Sequence, residues 1–184
     1  MVFCVAVDPG RHGGVALVTE GQPGKRPVLL GVRHIGGDRP ALWYRRAERG
    51  LRELVALIEE GAEVRAYVED PPKVSRRGTL KGDKRGQRTW AGIGRYQGMA
   101  IAACVVAGLG EPVLLPVKAW TSAWGVMVPG GKRGDGTHRI REAELLVEGS
   151  REALDSIPVS YRVDAAEAVL MAGAGALARK LLTT

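Results

Sequence analysis

The chain has 184 residues, enough for one domain with a full hydrophobic core. Hydrophobic residues make up 45% of it, which excludes a disordered chain. Its formal net charge of +7 suits a polyanion or an acidic surface as partner, and arginine, the better fork for phosphate, outnumbers lysine.

Residues 2–7 are a continuous, valine-rich apolar run, which predicts a strand buried on both faces. Asp8-Pro9-Gly10 and Gly13-Gly14 punctuate the turn that follows. Residues 13–19 and 28–35 read as the next two strands, separated by a glycine, proline and charge cluster at 21–27. A helix is predicted over 40–60, with Asp38 near its start, Gly61 past its end, and an apolar face of Leu51, Leu54, Val55 and Ile58. Residues 64–68 form a fourth strand, and the order strand, helix, strand implies a parallel crossover.

Residues 71–88 have no hydrophobic periodicity and read as a mobile, basic loop. A helix rich in small residues is predicted over 90–109, then a short fifth strand over 112–115 and a short helix over 118–124. A glycine-rich loop at 129–136 leads to helices over 137–148 and about 163–182. No internal repeat or domain boundary interrupts 1–184, which reads as a single α/β domain.

Four acidic residues fall at the ends of these elements. Asp8 closes the first strand, and the glycines at 10, 13 and 14 leave little bulk over it. Taken alone, Asp-Pro-Gly after a strand is an ordinary turn. Glu69 and Asp70 close the fourth strand before two prolines; adjacent strand residues face opposite ways, so only one of them shares a site with Asp8, and Glu69 is the one expected to. Asp164 and Glu167 are one turn apart, on one helical face beside a stripe of Val163, Ala166, Leu170, Ala174, Leu177 and Leu181. Acids near a helix start also answer its dipole. Together the four point further. Buried carboxylates need compensation, hard oxygen donors suit magnesium or manganese, and two-metal phosphodiester chemistry uses about four carboxylates around cations ~4 Å apart.

These segments, in order over most of the chain, resemble the RuvC-type Holliday junction resolvases of the ribonuclease H-like superfamily, phage-type members in particular. VAVDPGRHGG resembles the family's first motif and YVED its strand-end glutamate. IGRYQGMAIAACVVAG resembles its glycine-containing helix, PVKAWTSAWG the segment after strand five, and RVDAAEAVLMA the final Asp-x-x-Asp motif, here with Glu167 in the last place. The resemblance implies a five-stranded mixed sheet, the first three strands antiparallel and the rest parallel, flanked by helices. It implies Asp8, Glu69, Asp164 and Glu167 as ligands of two Mg2+ or Mn2+ ions, and Lys118 beside the scissile phosphate. It further implies a homodimer that cuts four-way DNA junctions, with the helix over 90–109 as dimer face; two matched nicks need two related active sites. The segment after Glu69 is longer and more charged than in the cellular resolvases. The family's second functional lysine has no clear counterpart; Lys132, Arg133 and His138 are the candidates.

Lys73, Arg76, Arg77, Lys81, Lys84, Arg85 and Arg88 crowd the loop that leaves Glu69, with only Asp83 against them. Their place beside the acids marks them as DNA contacts, with Lys132 and Arg133 extending the surface. His138, Arg139 and Arg141 continue the basic cluster of Lys132 and Arg133, but Arg139 and Arg141 read equally as solvated helix residues paired with Glu142 or Glu144. Competing readings are another ribonuclease H-like nuclease acting on RNA–DNA hybrids or branched DNA, an actin-like ATPase or kinase fragment, and a non-catalytic DNA-binding module. The first of the non-nucleases wants a second phosphate loop, and the last does not need all four acids. Cys4 and Cys104 lie in apolar runs and read as core thiols of a reducing compartment. No signal peptide or bilayer-length apolar run stands out, so the expectation is a cytoplasmic protein, bacterial or phage-encoded, with no membrane partner.

Overall fold

The computed structural model describes residues 1–20, 24–37, 39–70, 84–124 and 137–177, over 84–93 in backbone only. Five strands, β1 Val2–Asp8, β2 Gly14–Thr19, β3 Val28–His34, β4 Glu63–Asp70 and β5 Val113–Pro116, form one sheet in the order β3-β2-β1-β4-β5. β1 pairs antiparallel with β2, and β2 antiparallel with β3. β4 runs parallel to both β1 and β5. This is the predicted mixed sheet.

The apolar run of β1 is buried throughout because helices cover both faces of the sheet. Val2, Cys4 and Ala6 point to one layer, against α6 (Arg162–Leu177) and the shorter α3 (Val117–Ala123), α4 (Thr137–Leu146) and α5 (Ser150–Asp155). Phe3, Val5 and Val7 point to the other, against α1 (Pro40–Val55) and α2 (Lys84–Val106). Period-two alternation thus decides which strand-end residue looks into which layer.

Several bounds differ from those expected. α1 ends at Val55, and i to i+3 turns to Leu57 and Ile58 replace its last stretch. α2 begins at Lys84, so helix occupies 84–88, where sequence patterning predicts loop; polar residues form this helix's first turns, and no apolar stripe signals them. The rest of that loop, the glycine-rich loop at 129–136 and the final helix beyond Leu177 lie outside the described residues. α5 and the 3-10 turn Val159–Tyr161 had no counterpart in the expected elements, being too short to show periodicity. Among the described residues, no helix is long and apolar enough to cross a membrane.

α6 is buried all round, not along a stripe: Ala165, Ala166 and every residue from 168 to 176 lie in the interior. Its glycines permit this. A methyl on Gly175 would stand 2.4 Å from the Tyr67 ring, and one on Gly173 would stand 2.6 Å from Trp124. Trp124 fastens the layer by donating its indole N–H to the Leu170 carbonyl at 2.7 Å.

Candidate metal centre

Asp8 continues the Val2, Cys4, Ala6 series and therefore faces α6. In the parallel ladder Val7 stands opposite Val68, so Asp8 and Glu69 are the next neighbours along the two strands. Glu69 shares the face of Tyr67, which packs in the α6 layer. Asp70 shares the face of Val68 and Ala66, in the α1–α2 layer, where Gln97 of α2 donates to its Oδ1 at 3.3 Å. Side-chain alternation thus separates the pair, with Glu69 towards Asp8 and Asp70 away from it.

The start of α6 reaches this point because β2 begins with glycine. A methyl on Gly14 would lie 2.8 Å from the Ala165 Cα and from the Asp164 carbonyl oxygen, so only a bare backbone lets the helix sit so close. Gly13, at φ +25°, completes the turn in the left-handed region. A Cβ at Gly10 would stand 3.3 Å from carboxylate oxygens of both Asp8 and Asp164. From the opposite layer, Trp43 of α1 donates its indole N–H to the Gly10 carbonyl at 3.0 Å and pins the turn.

Asp8, Asp164 and Glu167 each offer a carboxylate oxygen, and the three lie within 4.8 Å of one another. Asp8 is 3% exposed. Its Oδ1 accepts the Gly10 N–H at 2.9 Å, but its Oδ2 is buried without a donor. The groups nearest it, Glu69 and Asp164, are carboxyls too, and they offer a hydrogen only when protonated. Burial pushes Asp8 well above the usual carboxylate range, and repulsion from Glu69, Glu167 and Asp164 adds to it. Glu69 is raised to about 7, by burial first and Glu167 second. Glu167 is raised to about 7, again chiefly by burial, while Arg139 opposes the rise. Burial raises Asp164 too, offset in part by His12. A buried acceptor without a donor, in a cluster of acids that resist ionisation, fits a divalent cation held by hard oxygens. Arg139 and His12 offset part of the cluster's charge from the side of Glu167 and Asp164, and both acids stay raised.

Other expected site residues are less closely placed. Lys118 is exposed on α3, and its side chain makes no hydrogen bond or ion pair among the described residues. Lys84, Arg85 and Arg88 lie on α2, described there in backbone alone. Lys73, Arg76, Arg77, Lys81, Lys132 and Arg133 lie outside the described residues altogether. His138 is half-buried on α4, its Nε2 without a partner.

Arg139 is a correction in burial, while its expected pairing with Glu142 holds. It is not a solvated residue but 5% exposed, with Nε 3.5 Å from Glu167 Oε1 and Nη1 3.0 Å from Glu142 Oε2. Its guanidinium lies over the buried Trp120 ring, 5.0 Å from the centroid. The signal was present in the sequence: Arg139, Ala143 and Val147 recur every four residues, and the last two are core.

A five-stranded mixed sheet in this order, with acids closing β1 and β4 and opening the last helix, defines a ribonuclease H-like fold. Solved RuvC structures share this fold. The chain is similar to T. thermophilus RuvC in complex with Holliday junction substrate, at a TM-score of 0.63 and 15% identity over 97% of this chain and 96% of that one. It is also similar to a further Thermus thermophilus RuvC structure, at 0.62 and 16% over 98% and 97%. No family model and no curated protein matches the sequence.

Proposed function

We propose that the chain is a metal-dependent endonuclease of branched DNA, which resolves four-way junctions as a homodimer. The observation that carries this reading is the Asp8, Asp164 and Glu167 cluster, with its orphaned buried oxygen, at the ends of β1 and β4 in a ribonuclease H-like sheet. Asp8, Glu69, Asp164 and Glu167 would hold two Mg2+ or Mn2+ ions. Such ions polarise an attacking water and offset charge on the leaving 3′ oxygen. Gly10 places no side chain beside the Asp8 and Asp164 carboxylates, which leaves room for a phosphate to approach them. Lys118, exposed on α3, is assigned to the substrate phosphate, and the basic segment after Glu69 to the DNA arms. The junction specificity is supported by the similarity to a RuvC bound to such a substrate.

The dimer would form through α2. Gly94, Gly98, Ala102 and Val105 are exposed along one face, and a methyl on either glycine would meet nothing within 4 Å. Such a surface admits close helix packing.

The test is incubation of end-labelled four-way, flap, duplex and RNA–DNA hybrid substrates with and without magnesium, alongside sedimentation of the free protein. Paired nicks in the four-way junction, dependent on magnesium and made by a dimer, are expected. Preferential cutting of the hybrid would replace the junction reading, and undiminished cutting in excess chelator would remove the metal mechanism.

A further inference from the structure

Arg139 is a buried cation divided between two carboxylates. Taking a guanidinium out of water costs several kcal/mol unless it is well compensated. Compensation comes from two directions: Nη1 meets Glu142 at 3.0 Å, and Nε meets Glu167 at 3.5 Å. The guanidinium also lies over the Trp120 ring, 5.0 Å from its centroid, a further contact that favours the cation in this place. Glu142 lies three residues along the same helix and is outside the group of acids that could share an ion.

We propose that Glu142 and Arg139 form a positioning pair for the metal centre: Arg139 aims the Glu167 carboxylate, and Glu142 draws off enough of the guanidinium's charge to leave Glu167 free to bind a cation. The pair rests on reading the acid cluster as a metal site. The two carboxylates are in competition. Without Glu142, the full charge of Arg139 falls on Glu167, the ion pair tightens, and an incoming cation must displace it. Without Arg139, Glu167 keeps its negative charge but loses the group that orients it.

The pair makes an unusual demand, that removing a carboxylate which touches no metal weakens metal binding. Manganese binding to the DNA-free protein, followed by titration calorimetry or by the loss of the free-ion paramagnetic signal, reads this without turnover. Glu142→Gln should raise the Kd for Mn2+ about tenfold, in the range of other groups that orient metal ligands. The double variant Arg139→Gln/Glu142→Gln removes both charges; it should bind Mn2+ within about threefold of wild type yet cleave at least about tenfold more slowly at saturating metal. Should Glu142→Gln fail to fold, Glu142→Asp keeps the charge but withdraws it from Nη1, and should raise the Kd by about threefold. Wild-type Mn2+ affinity in a folded Glu142→Gln, or in Glu142→Asp where only that variant folds, overturns the pairing. So does wild-type cleavage by the double variant. Asp8→Asn separates this from the underlying reading. If Asp8→Asn loses Mn2+ binding while the Glu142 variants do not, only the pairing fails; if Asp8→Asn also binds normally, the metal centre fails with it.

Discussion

Glu69 titrates near neutrality because two causes act together, burial and the approach of Glu167. This has a consequence for stability. An ordinary glutamate ionises near 4.5 in the unfolded chain, whereas Glu69 and Glu167 hold their protons to about 7 when folded without metal. Between those pH values the unfolded chain binds fewer protons than the folded one, so metal-free stability falls as pH rises through the window. Glu69→Gln removes one of the acids. Its Tm should match wild type near pH 4.5 and exceed it by roughly 4 °C or more at pH 8, both in chelator. Saturating magnesium should close or reverse that gap, since only wild type keeps the full set of acids. A Tm difference that does not grow with pH would show that Glu69 is not held in the cluster. Arg139 shows what residue-by-residue reading misses. Its four-residue spacing from Ala143 and Val147 marks the buried stripe, but its partners across the fold, Glu167 and Trp120, leave no mark in the local sequence.

At the scale of elements, the close seating of α6 on β2 carries the site. Gly14 allows it, and a methyl there meets backbone, which does not yield as the tip of a side chain does. Gly14→Ala should therefore displace the start of α6 and carry Asp164 and Glu167 away from Asp8. A loss of about 1–3 kcal/mol in chemical denaturation is expected, as for other overpacked sites. Mn2+ affinity should fall with it; unchanged affinity in the folded variant would mean that the acids do not depend on that close seating. The strands of this architecture were legible because β1 and β2 are buried on both faces and read as unbroken apolar runs. The Glu69 and Asp70 pair was legible in principle from alternation, which the layers then resolve. The sequence of α6 predicts a striped helix, and the helix is buried all round; alanine and glycine give little contrast between faces, so periodicity understates how much of such a helix is covered. The early start of α2 and the short α5 escaped for the opposite reason, having few apolar residues to mark them.

For the whole molecule, the distribution of charge matters more than the net value. The acids converge at one end of the sheet, while basic residues dominate the segment between β4 and the body of α2. If that segment grips DNA arms, replacing Arg76, Arg77, Lys84 and Arg85 with alanine should weaken junction binding. It should also flatten the log–log salt dependence by roughly 0.9 for each phosphate that is no longer neutralised. Cleavage at saturating protein should change far less than affinity, because these residues are not assigned to the acids. An unchanged salt slope would move the DNA footprint to Lys118 and the segment around Lys132 and Arg133.

That the acids at the ends of β1, β4 and α6 form a divalent-metal nuclease centre is tested most directly by Asp8→Asn on a labelled four-way junction in magnesium. Asp8 is the deepest of the acids, and the substitution keeps its shape while removing its charge. The rate constant at saturating protein should fall at least about a thousandfold, equivalent to about 4 kcal/mol of transition-state stabilisation, with junction affinity in calcium within about threefold of wild type. Cleavage by Asp8→Asn at the wild-type rate would contradict a metal centre built on these acids.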